Sequence, residues 1–101
     1  MTLPKSVSIM GVVYDIREVD KLLNGDCTEK LNGNIRYNEA DILIEKGMSE
    51  QTKAVTLWHE IIHGLLTQAG IVHEEGLIEF LGYGICGFVQ DNKEAIKELI
   101  K

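Results

Sequence analysis

Ser49-Glu50-Gln51-Thr52-Lys53-Ala54-Val55-Thr56-Leu57-Trp58-His59-Glu60-Ile61-Ile62-His63-Gly64-Leu65-Leu66-Thr67-Gln68-Ala69-Gly70 is the stretch on which the reading of this chain turns. Val55, Leu57, Trp58, Ile61, Ile62, Leu65 and Leu66 recur at spacings of three and four, the pattern of a helix with a broad apolar face. Ser49 suits the N-cap, and Glu50 lies in the first turn, where the helix dipole favours a carboxylate. Gly70 suits the left-handed residue that ends a helix. The spacing therefore predicts a helix over Glu50–Ala69.

Inside that helix stands His59-Glu60-Ile61-Ile62-His63. Residues four apart lie one turn apart on one face, so two imidazoles spaced this way can both reach a single Zn²⁺ at about 2.0–2.1 Å. Glu60 points to the same side but is offset. It is placed to take a proton from water held at the metal rather than to ligate it. His59 and His63 are the expected zinc ligands and Glu60 the expected general base.

A third ligand must come from downstream. A continuation with His six residues after His63 is ruled out, because that position is Ala69. His73, Glu74, Glu75 and Glu79 remain. From His63 to Ala69 the helix climbs roughly 9 Å. A chain that turns at Gly70 and returns as a second helix brings Glu79 level with His63, and Glu75 lies nearer the turn. Glu79 also interrupts the apolar run Leu77-Ile78 and Phe80-Leu81, where an unpartnered carboxylate is costly to bury. This reach argument favours Glu79, with Glu75 and His73 left open.

Outward from the motif, the second half reads as helical. A second helix is expected over Glu74–Val89, antiparallel to the first, and a short one over Lys93–Lys101. Gly82, Gly84 and Gly87 suggest either close helix–helix approach or a break near Gly82–Gly84. The first half reads as strands. Val7 to Ile16 alternates with a turn at Gly11, Thr28–Leu31 and Ile35–Tyr37 flank an Asn32-Gly33 turn signal, and Ile42–Ile44 is a β-branched run. Ile16, Val19, Leu22 and Leu23 have helical spacing and predict a short helix. Strands before helices make the fold class α+β, with a small, mostly antiparallel N-terminal sheet.

The chain has 101 residues, enough for one domain, 1–101, and carries a net charge of −6. It offers no basic footprint for nucleic acid or an anionic membrane. The N-terminal residues lack the apolar core of a signal peptide, and no apolar run approaches the ~20 residues of a membrane helix. A cytoplasmic protein is expected. Cys27 and Cys86 have no metal-ligand spacing and read as reduced thiols.

The run Thr56 to Leu66, followed by Glu75-Gly76-Leu77-Ile78-Glu79-Phe80-Leu81 and Val89-Gln90-Asp91-Asn92, resembles small phage- and prophage-encoded zincin-like proteins. These are minimal gluzincins similar to the ImmA/IrrE metallopeptidases and, more distantly, to SprT-like and thermolysin-like zincins. The stretches Gly33–Tyr37 and Ile42–Glu45 fit the strands that precede the motif helix in those families. The resemblance implies a zincin-like fold with zinc bound by His59, His63 and, as the best match, Glu79. It also implies catalysis by Glu60 and hydrolysis of a protein or peptide substrate, such as a phage or host regulator. Tyr83 or Tyr37 could supply an oxyanion donor, and Ile42–Glu45 is the expected edge strand for substrate. The alternative expectation is a zinc-binding regulatory module with little peptidase activity.

Overall fold

The computed structural model describes residues 3–101. Met10 and Gly11 both carry positive φ, 51° and 88°, and close a tight two-residue turn between β1 (Ser6–Ile9) and β2 (Val12–Val19). Positive φ at both turn residues matches the right-handed twist of the flanking strands, and glycine adopts it without cost. Along β2, Val12, Tyr14 and Ile16 turn inward while Val13, Asp15 and Arg17 face solvent. The short helix expected from Ile16 to Leu23 is not formed. Ile16 and Val19 instead continue β2, because their backbones pair in parallel with β4 (Asp41–Glu45), in register Ile16↔Ile42 and Val19↔Glu45. Non-local pairing overrides a local spacing that fits either element.

After β2 the chain loops through residues 20–32. The Asn24 side chain accepts the amides of Thr28 (2.9 Å) and Glu29 (3.3 Å), which organises this loop. The expected strand at Thr28–Leu31 reduces to a single bridge, Leu23 to Lys30. Gly33 does not sit in a turn; it opens β3 (Gly33–Arg36), which runs antiparallel to β4.

The sheet order is β1-β2-β4-β3. It is a small mixed sheet, with two antiparallel pairings and one parallel, in an α+β domain. The expected edge strand Ile42–Glu45 is therefore interior, with Ile42 and Ile44 fully buried, and the free edges are β1 and β3. Glu45 N–H donates to the Asn32 carbonyl, so Asn32 and Glu45 form a hydrogen-bonded pair. Alternation along the ladder then points the main-chain polar groups of Gly33 and Ile35 away from β4, to the open side.

Three helices follow: α1 (Glu50–Ala69), α2 (Glu75–Asp91) and α3 (Lys93–Leu99). Ser49 Oγ accepts the Thr52 amide, and Gly70 closes α1 in the left-handed region at φ 68°. These caps match the sequence signals that bound the helix. Leu57 enters the core formed by Ile9, Tyr14, Ile35, Ile42 and Ile44. α2 runs antiparallel to α1: Glu75 lies beside His63, while Gly82 lies against His59. It is unbroken through Gly82–Gly84. Only Gly82 meets α1, whereas Gly84 and Gly87 face open space. Among the described residues no helix is long and apolar enough to cross a membrane.

α1 crosses β3 at very short range. A methyl placed on Gly33 would lie 2.5 Å from Thr56 Cγ2 and 3.2 Å from Glu60 Cγ. Gly33→Ala is therefore expected to destabilise the fold by about 1–3 kcal/mol, the usual cost of overpacking. Thr56→Ser, which removes the opposing methyl, should recover part of that loss in denaturant titrations. Asp41, 3% exposed, receives two hydrogen bonds from Arg36 at 2.7 and 2.6 Å. This guanidinium holds the Asp41 carboxyl below its ordinary value. Because the folded value is the lower one, the Asp41 contribution is present above about pH 3.8 and is lost as pH falls through the folded value. Asp41→Asn should lower the melting temperature at neutral pH and narrow its gap to wild type in acid.

Candidate metal centre

The motif helix presents His59 and His63 on one face, with their Nε2 atoms 3.2 Å apart. The third group beside them is Glu75, in the first turn of α2. Its Oε1 lies 2.9 Å from His63 Nε2 and its Oε2 lies 3.4 Å from His59 Nε2. Donors about 2.0–2.1 Å from a tetrahedral metal lie roughly 3.3–3.4 Å from one another. The triangle of His59, His63 and Glu75 is close to that size, and among the described residues it is the one such group of three. Two imidazoles and one carboxylate suit zinc and several other first-row metals. The Glu75 side chain is 68% exposed, so this group of donors borders solvent.

The reach argument placed Glu79 level with His63; the structure places Glu75 there. The difference lies in the link between the helices. Residues 71–74 form no turn, bend or helix, and the backbone of Glu74 is extended. Four extended residues span up to roughly 13 Å, more than the roughly 9 Å between Ala69 and His63 along the axis. The chain thus returns down the side of α1 before α2 begins. Glu74 starts α2 by accepting the amides of Gly76 (3.0 Å) and Leu77 (2.7 Å), and Glu75 follows level with the histidines. Glu74, one of the four downstream residues considered, is a helix cap. Glu79 lies one turn further on and lines a cleft of about 350 Å³ with His59, Glu60 and Tyr83.

Glu60 is 7% exposed, and its Oε1 accepts the Ile35 amide at 2.9 Å. Burial pushes its carboxyl above the ordinary value, against the pull of that amide and of His59. Glu60 also borders a second hollow shared with Tyr37, His63 and His73. The Tyr37 phenol is likewise held above its ordinary value, chiefly by burial, and stays protonated as a donor. Burial holds His63 below the usual imidazole value, so the ring is neutral at pH 7 and its lone pair is available.

Two participants escaped the sequence reading. One is the Ile35 amide that anchors Glu60, a main-chain group on another element. The other is Thr67, whose hydroxyl lies 3.2 Å from His73 Nε2 and donates to the Tyr37 hydroxyl at 2.8 Å. Its place four residues after His63 was the available signal, since that spacing shares a helix face.

No family model matches the chain, no curated protein matches it, and no solved structure matches it.

The geometry separates the two carboxylates on α2. Glu75→Gln should weaken metal binding more than the ~10–100-fold typical of losing a supporting neighbour, and Glu79→Gln should weaken it less. Competition with a chromophoric chelator measures both, and a larger loss at Glu79 would contradict the observed triangle.

Proposed function

We propose that this chain is a zinc-dependent peptidase of the zincin type, acting on a protein or peptide substrate. The observation that supports this best is the donor triangle of His59, His63 and Glu75 with the buried carboxylate of Glu60 alongside it. When bound, zinc would polarise a scissile carbonyl and lower the pKa of an attacking water towards about 7.

The remaining chemistry belongs to the chain. Glu60 takes a proton from the attacking water and returns it to the leaving amine. Its raised pKa brings it nearer neutrality, where a group can do both. The amide of Ile35 holds the carboxylate in place, so little reorganisation is needed. Tyr37 and Tyr83 border the two hollows on either side of Glu60 and are the candidate donors to the developing oxyanion. An extended substrate would lie along β3, the free edge beside α1, in place of the interior Ile42–Glu45. The resemblance to small phage- and prophage-encoded zincins suggests a regulator protein as substrate.

A second reading, a zinc-holding interaction module, is favoured by the open face of α2. There Leu77, Phe80 and Phe88 are 54%, 68% and 56% exposed. Glu60→Gln distinguishes the two. It should retain zinc, because Glu60 is not in the triangle, and lose about 10²–10⁴-fold in turnover of a cleaved partner. Zinc-matched wild type that binds the partner tightly without cutting it would establish the module reading instead.

A further inference from the structure

His73 takes no part in the donor triangle, yet it makes the shortest contact of any imidazole in the chain's described hydrogen bonds: its Nδ1 lies 2.7 Å from His63 Nδ1. The two rings are within 18° of coplanar, with centroids 4.9 Å apart. That separation equals the nitrogen–nitrogen distance plus one ring radius on each side. The contact therefore runs along the line of centres, in the plane of both rings, as a hydrogen bond does, and is not a face-to-face stack. One of the two nitrogens must carry the proton and the other must accept it.

His63 Nε2 faces His59 and Glu75 on the far side of the ring. A metal at that point needs Nε2 unprotonated, which puts the His63 proton on Nδ1 and makes His73 Nδ1 the acceptor. His73 then carries its own proton on Nε2, where Thr67 Oγ1 lies at 3.2 Å and can accept. Thr67 in turn donates its hydroxyl proton to Tyr37 Oη at 2.8 Å. Every proton in the chain from His63 to Tyr37 has one consistent direction, and that direction is the one that leaves the His63 metal-facing nitrogen free.

The neighbours of His73 are fixed by independent elements. Thr67 is on α1, four residues after His63, and Tyr37 follows β3. His73 is on the link between α1 and α2, tied down at Glu74 by two helix-capping bonds. The link that brings Glu75 to the triangle thus also carries the group that orients one of its ligands.

We propose that His73 is a positioning residue. Backed by Thr67 and Tyr37, it accepts the His63 Nδ1 proton and fixes the tautomer and ring orientation in which His63 binds a metal. The inference rests on the reading of His59, His63 and Glu75 as a metal site.

The test uses zinc itself and two readouts. Zinc affinity is measured by chelator competition for wild type, His73→Leu, His73→Asn, Thr67→Val and His59→Ala. Long-range ¹H–¹⁵N spectra of the zinc-loaded protein report which nitrogen of His63 carries the proton. His73→Leu should lose about 10–100-fold in affinity, the usual effect of removing a ligand's hydrogen-bond partner. His73→Asn should restore most of it, because the amide oxygen can stand where Nδ1 accepted. Thr67→Val should lose less than His73→Leu, and wild-type His63 should be protonated at Nδ1. Equal affinity for wild type and His73→Leu would overturn the proposal and leave the metal site standing. So would equal losses for His73→Leu and His73→Asn, or ¹⁵N shifts showing His73 itself on the metal. A wild type that binds no zinc, or a His59→Ala that binds it as tightly, would instead remove the metal reading on which the proposal rests.

Discussion

The carboxylate of Glu60 sits inside the protein and is held by a single backbone amide, that of Ile35, across the gap between helix and sheet. A buried carboxylate without a partner is expensive, so this bond constrains everything that positions its two ends. It requires α1 to lie close over β3, and that closeness leaves no room for a side chain at Gly33. It requires the Ile35 amide to point away from β4, which follows from the register of the antiparallel pair. It also requires Glu60 to stay on the buried side of α1 while His59 and His63 reach the cleft. Consecutive helix positions separate by about 100°, which allows both.

Much of this architecture was legible in the residues, and the reasons differ from element to element. α1 was readable because independent local signals agreed at both ends: a Ser N-cap, apolar residues at helical spacing and a C-terminal glycine. The motif histidines were readable because a spacing of four has one geometric meaning on a helix. Ile16 to Leu23 was misread because its apolar residues suit a helix and a strand equally, and the partner that decides, β4, lies some two dozen residues downstream. Ile42–Glu45 was readable as a strand but not as an interior one, since sheet order is a property of the whole fold. The choice between Glu75 and Glu79 turned on the conformation of four residues, 71–74. A tight turn and an extended return differ by about one helical turn in register, and local composition does not distinguish them.

That link is the economical part of the design. It ends one helix and sets the level of the next through Glu74. It carries His73 to the back of His63 and delivers Glu75 to the front. His73 near the end of the link and Glu75 at the start of α2, two positions apart, thus serve both sides of a single imidazole ring.

The sheet has two open edges, and each limits indiscriminate pairing with another chain in its own way. β1 is only four residues long, alternates serine with apolar residues and follows directly on Pro4 and Lys5. Short edge strands flanked by proline and lysine are the usual protection against edge-to-edge aggregation. β3 is equally short, and of its two outward-facing amides the one at Ile35 is already taken by Glu60. Any strand that does add to β3 must compete with the protein's own carboxylate for its main-chain donor.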